Sequence, residues 1–462
     1  MGNERLDRHW RERGLAAYST EALLGTLRHY GATVDEEQLR RVSSEEQVWA
    51  LENRWTREWK GTGPFKELPR AAARELWKRL GLPEAPPPAE LEKPAVPEAP
   101  FLGPLAKAPL DEKLVLAREA AAQPDFDVDL AFELSMHLAE VLEEAGRFAE
   151  LEGVLDAWKE HAPEVHDAEP WVLAWRVALA LRLPGKDVGA ALATLAERAP
   201  RDSILQARAE WCLYRGLVKQ THPALLRAWE ETSHESLLPA ALEQRGTRAI
   251  LTALDAALLE EPELPPERLR EKLAPFEELR PNSRWIHEAL TRRTGREPWR
   301  GTREGLAGMR RGERRQEQWA LMMAFEWELL TRWGWPRGRT QLIHPELGWL
   351  LPEGPLKGVP RRGQEARSTN LLLPARDTLE EWASEGSERR YLHPHVHAAT
   401  ALALRPWGGF LHGLGLMEDA ELAGWNDLLR QVLARLPEWL ADDADDPALA
   451  DEVREGLSST PA

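Results

Sequence analysis

The sequence predicts an all-α protein, and three observations carry that prediction. Leu and Ala dominate the hydrophobic residues, whereas the β-branched residues that suit a pleated sheet are scarce. Apolar residues recur at the i, i+3, i+4, i+7 spacing of a helix with one buried face, as at Leu134, Leu138, Val141 and Leu142. Gly and Pro close the periodic stretches, as at Gly31, Gly81 and Pro163.

A chain of 462 residues is too long for one ordinary core, so more than one domain is expected. Residues 1–82 read as a small helical bundle. Ser19-Thr20-Glu21 opens one helix, which Gly31 can close. Ser43-Ser44-Glu45-Glu46 opens a second, with Val48, Leu51, Trp55 and Trp59 at helical spacing, and a third runs from Pro69 to Leu80. Residues 83–110 read as a linker: nine prolines between Pro83 and Pro109 exclude a helix interior and favour an extended spacer.

Residues 111–290 read as successive helix pairs. The first pair turns at Ala145-Gly146-Arg147-Phe148, and its second helix carries Leu151, Val154, Leu155 and Trp158 before Pro163 ends it. Further pairs end at Pro200, near Pro239 and at Pro281-Asn282, with spacings of 37, 39 and 42 residues. In its Gly146, Phe148, Pro163 and Leu138 this stretch resembles the tetratricopeptide repeat family, in which a Gly and an aromatic sit in the inter-helix turn and a Pro follows the second helix. Leu151 and Ser135 depart from the small and the large residue of the family pattern, and the period drifts upward from its 34 residues. The resemblance implies a TPR-like α-solenoid that binds a protein segment in a groove lined by the first helix of each pair. Those helices would offer His137, Arg176 and Tyr214 to a partner, along with Trp175 and Trp211. Trp175 takes the position of a core Leu, so it is read as core.

Residues 291–462 read as a mainly helical C-terminal domain. The stretch ERRQEQWALMMAFEWELLTRWGW is apolar almost all round, which fits a buried helix. Residues 334–376, rich in Arg, Gly and Pro, read as a long loop with room for a small hairpin. Residues 290–367 hold 16 Arg plus Lys against 9 Asp plus Glu, while the whole chain carries −17. Arg310, Arg311, Arg314, Arg315, Arg337 and Arg339, with Arg361 and Arg362, are therefore the candidate anion-facing residues. They could meet an acidic protein, nucleic acid or the chain's own acidic run at 441–452. That run is otherwise read as a frayed, solvated tail.

His393-Pro394-His395-Val396-His397 supports two readings. On a strand the three imidazoles share one face and could hold zinc in a metal-dependent hydrolase. On a helix, Pro394 takes the first position and the three diverge. No P-loop, dinucleotide fingerprint or nucleophile elbow is present, and no cofactor is expected. The acidic balance disfavours nucleic acid as a partner of the whole surface. One cysteine, Cys212, excludes a disulfide framework, and no apolar run is long enough to span a bilayer. The excess of Arg over Lys with abundant Ala, Gly and Pro matches a GC-rich bacterial genome. The composite expectation is a cytoplasmic, non-catalytic scaffold or adaptor for a protein partner. The metal-dependent hydrolase and a nucleic-acid-associated factor are its alternatives.

Overall fold

The chain divides into two units, Met1–Pro104 and Leu105–Ala462. The computed structural model describes residues 19–29, 67–81, 108–124, 126–200, 203–232, 239–279, 288–289, 291–351, 371–384, 393–443 and 445–458, together with single positions at 32, 34, 39, 42, 48, 51 and 55. Among the described residues there is no strand, so the all-α class holds. No described helix is long and apolar enough to cross a membrane.

In the first unit, α1 (Thr20–His29) packs on α2 (Glu67–Arg79). Leu23 and Leu27 of α1 and Leu76 and Trp77 of α2 are buried, and so are Val48, Leu51 and Trp55, all three at helical positions. Trp55 stacks on Trp77 with centroids 5.2 Å apart. Gly31, Trp59 and nearly all of the Pro-rich stretch lie outside the described residues.

The second unit begins with α3 (Leu110–Ala120), then α4 (Val128–Glu144) and α5 (Leu151–His161). Asp127 caps α4 by accepting from Leu130 N–H at 2.9 Å. Gly146 ends that helix at φ +66°, and Gly146 N–H and Arg147 N–H donate back to the carbonyls of Glu143 and Leu142. A short α6 (Pro163–Ala168) follows, started by the Pro163 that ends the first pair. Next come α7 (Pro170–Arg182) and α8 (Val188–Arg198), then α9 (Ser203–Tyr214) and α10 (Val218–Thr232). Gly216 (φ +82°) closes α9 with the same double carbonyl bond as Gly146, Gly216 N–H to Leu213 and Leu217 N–H to Cys212. The helices contact in series: α4 with α7, α7 with α9, and α8 with α10. Their shared cores hold Leu173, Val177, Leu192, Leu195, Leu205 and Cys212.

α11 (Pro239–Glu260) and α12 (Pro266–Lys272) continue the chain, followed by α13 (Arg303–Gly308) and α14 (Arg311–Thr331). Then come α15 (Arg337–Leu350), α16 (Arg376–Trp382), α17 (Pro394–Gly413), α18 (Asp419–Val432), α19 (Leu436–Asp443) and α20 (Pro447–Ser458). Segments 111–290 and 291–462 lie in the same unit, and one hydrophobic cluster runs from Ala209 of α9 to Val453 of α20. At its centre α17 is buried on most sides and contacts α9, α14, α15, α18 and α20.

Two expectations are corrected here, and one choice between readings is decided. The long loop at 334–376 is not continuous, because Arg337–Leu350 is helical and the expected hairpin's LGWL lies in that helix; 352–370 fall outside the described residues. Gly338 is what lets α15 lie against α9: a Cβ there would sit 2.5 Å from the Leu213 carbonyl oxygen. Of the two readings of His393–His397, the helical one holds: the segment starts α17, with Pro394 at its first turn and His393 before it. The acidic run at 441–452 is not a frayed tail, since it spans the end of α19 and the start of α20, and Asp446 is 4% exposed.

Candidate functional site

The most chemically distinctive surface of the second unit is built where α7 and α9 meet the segment Asp445–Ser458. Arg182 ends α7, Arg208 and Arg215 lie two turns apart on and just beyond α9, and Arg339 comes from α15. Each guanidinium rests on an aromatic ring. Arg182 lies 4.0 Å from the Phe148 centroid, Arg208 5.3 Å from Trp175 and 5.6 Å from Trp211, Arg215 5.6 Å and Arg339 3.9 Å from Tyr214. The aromatic bodies fill the core, and the cations lie over their faces with donors to spare.

The acidic segment fills those donors. Arg208 Nη1 is 2.7 Å from Asp445 Oδ2 and Arg215 Nη2 is 2.7 Å from Asp446 Oδ2. Arg215 Nη1 pairs with Glu452, whose other oxygen lies 3.5 Å from Arg339 Nη2. Arg182 donates to the Asp445 carbonyl and to Glu143 Oε1 at 3.1 Å. Asp446 also caps α20, accepting from Ala448 N–H. Burial would raise the Asp446 carboxyl, but the His395 hydrogen bond and the Arg215 charge outweigh it and hold it below the ordinary carboxylate range. His395 stacks on Trp211 at 5.2 Å, and burial holds its pKa down despite Asp446 at 3.3 Å. Its Nε2–H is then the donor to that carboxylate.

Two further buried charge groups lie deeper. Glu210 accepts from Arg248 at 3.0 Å and Gln206 at 2.7 Å, with His393 Nδ1 at 2.9 Å. Burial opposes its charge, but His393 and Arg248 prevail and hold it down at about 2. Arg293 bridges Asp255 at 2.8 Å and Glu326, and Gln341 donates to Asp255 at 3.1 Å. Glu326 also contacts His344; burial pushes Glu326 up to about 8 and His344 down to about 3. These groups tie α9, α11, α14, α15 and α17 together. Each is enclosed by packed side chains, so their perturbed pKa values read as interior electrostatics.

The expected site residues fall as follows. Tyr214 and Arg339 meet, through the ring contact and through Arg339 Nε donating to the Tyr214 carbonyl at 3.1 Å. His137 is half-buried, with Lys113 Nζ 3.3 Å from its Nε2. Arg176 donates to Asp156 at 2.6 Å and to His166 at 3.2 Å. Arg314 is buried and donates to the carbonyls of Leu306 and Met309. Arg337 is half-buried and faces Asp255 at 3.8 Å. Arg310 and Arg315 are exposed, and Arg311 opens α14. Arg361 and Arg362 lie outside the described residues.

The three histidines of the cluster diverge, His393 to Glu210, His395 to Asp446, and His397 flat on Trp382 at 3.8 Å. Among the described residues no group of three or more His, Cys, Asp or Glu is placed to hold a metal ion. Arg182, Arg208 and Arg215 were not singled out from the sequence. The signal was there, since Arg208-x-x-Trp211 and Arg208-to-Arg215 are helical repeats that put cation and aromatic on one face.

No protein-family model, no curated protein and no solved structure matches this chain.

Proposed function

We propose that the chain is a non-catalytic protein-binding scaffold, with helix pairs α4/α5, α7/α8 and α9/α10 stacked as a TPR-like solenoid and a partner segment bound along their first helices. The serial contacts of α4, α7 and α9 support the stacking, and so do the positive-φ glycines Gly146, Gly185 and Gly216 in the three turns. The single observation that carries the reading is the arginine–aromatic surface on α7 and α9, which already grips carboxylates of another chain segment. Nearer the start of the stack, Phe132 of α4 is 37% exposed beside Trp171, with His137 and Arg176 on the same two helices. This open stretch is where a partner would first dock.

The test compares partners captured by the purified chain and by a Phe132→Ala/His137→Ala/Arg176→Ala variant, followed by calorimetry with the purified candidate. A partner whose affinity falls at least tenfold in the variant is expected. Equal affinity for wild type and variant, across every partner captured, defeats the reading.

A further inference from the structure

We propose that the surface formed by Arg182, Arg208, Arg215 and Arg339 is a receptor for acidic protein segments, held closed in cis by the chain's own Asp445–Ser458. This rests on the scaffold reading above and names its partner class: a run of carboxylates leading into a helix, as in Asp445-Asp446-Pro447.

Three features of the geometry lead there. Four guanidinium groups on or next to α7, α9 and α15 are gathered around one short segment, and among the described residues outside that segment Glu143 forms an ion pair with one of them, Arg182. Without an anion between them these like charges repel, so the surface is built around a bound carboxylate cluster. The recognition is chemically specific, because flat guanidinium groups backed by Phe148, Trp175, Trp211 and Tyr214 offer paired N–H donors to planar carboxylates. Finally, the occupant is a polyanion by sequence: residues 441–452 contain six Asp or Glu and no Lys or Arg.

A protein segment fits better than a nucleic acid strand. Arg208 is 3% exposed and Arg215 and Arg339 are mostly covered, so the donors face a short enclosed turn and not an open track for successive phosphates. The apolar side of α20 is anchored as well, with Leu449, Ala450 and Val453 buried in the shared core. A competing segment must therefore be an amphipathic helix with acidic residues at and before its first turn.

The test uses the full chain and a fluorescent peptide spanning residues 441–458. In an Asp445→Asn/Asp446→Asn/Glu452→Gln variant the cis segment loses the three carboxylates that pair with the arginines while the receptor stays intact. The peptide is expected to bind this variant at least tenfold more tightly than wild type, and adding Arg215→Ala is expected to abolish the gain. Hydrogen exchange should show α20 amides opening in the variant while α9 and α17 stay protected. Continued protection of α20 equal to α9 overturns the proposal, and so does an opened α20 without peptide binding. Displacement of the peptide by a single-stranded oligonucleotide as readily as by unlabelled peptide overturns the choice of an acidic protein segment. Should the variant unfold, wild type decides: α20 amides must exchange by an opening distinct from and easier than that of α9, and identical protection overturns the proposal. Peptide binding with no captured client would instead sink the scaffold reading alone.

Discussion

Gly338→Ala should destabilise the second unit although alanine is the better helix former. In an exposed helix interior this exchange favours the helix by about 1 kcal/mol. Here the new Cβ would lie 2.5 Å from the Leu213 carbonyl oxygen and 3.1 Å from Leu213 C and Cα. Ordinary contact begins near 3.4 Å, so α15 and α9 must separate by several tenths of an ångström. The obstacle is backbone and cannot rotate away, which puts the change among overpacking substitutions costing about 1–3 kcal/mol. Separation also stretches the Arg339 to Tyr214 carbonyl hydrogen bond, now 3.1 Å, a charged-donor bond worth about 1.5–3 kcal/mol. Set against the helix gain, a net loss of about 2 kcal/mol is expected. Gly348→Ala is the control in the same helix, because its Cβ would meet only Met322 Cε at 3.7 Å. Urea unfolding followed by tryptophan fluorescence should move the two midpoints in opposite directions, Gly338→Ala down and Gly348→Ala level or up. Equal shifts, or a Gly338→Ala variant as stable as wild type, would refute the close approach of α15 to α9.

Three other outcomes follow from the buried chemistry. Cys212 is fully buried and its thiol is pushed up to about 12 by burial, so it should resist a thiol reagent in the folded chain at pH 8 and react in full once denatured; rapid native labelling would contradict its placement. Glu326 has a folded pKa near 8 against an ordinary 4.5, so the folded state keeps a proton that the unfolded state sheds; stability should fall as pH rises from 4.5 to 8, and a Glu326→Gln variant should lose that slope when midpoints are compared at pH 5 and 8. Asp446 has the opposite sign. Its contribution is present above pH 3.8 and lost as pH falls through its depressed folded value, so α20 amides should stay protected at pH 5 and open only under more acid conditions, and opening already at pH 5 would contradict the ion pair with Arg215.

The helical class was legible because it rests on local facts, namely Leu and Ala abundance, 3.6-residue periodicity, and turn residues such as Gly146 and Pro163 whose roles are set by the backbone. What periodicity missed are helices whose polar residues are buried. In α15, Thr340, Gln341, His344 and Glu346 are all nearly or fully buried, and Gln341 and Glu346 find their hydrogen-bond partners in the distant Thr252 and Trp382, so its sequence lacks an apolar stripe and looks like a loop. Pro345 inside the same helix deepened that impression. The histidine cluster allowed two readings because alternation in sequence puts the imidazoles on one face only on a strand, and the helix start at Pro394 is the reading that the fold adopts. Charge at 441–452 looked like solvation because Arg208 and Arg215 are more than 200 residues away in the chain and Arg339 more than 100.

The claim on which the account rests is that α7 and α9 hold the acidic segment through specific arginine–carboxylate pairs. A double-mutant cycle between Arg208→Met and Asp445→Ala, read by urea unfolding, tests it directly. Arg208 is almost fully buried while Asp445 keeps about a third of its side chain in water, so a coupling of about 1–2 kcal/mol is predicted. A coupling below about 0.3 kcal/mol, with the two substitutions simply additive, would contradict it.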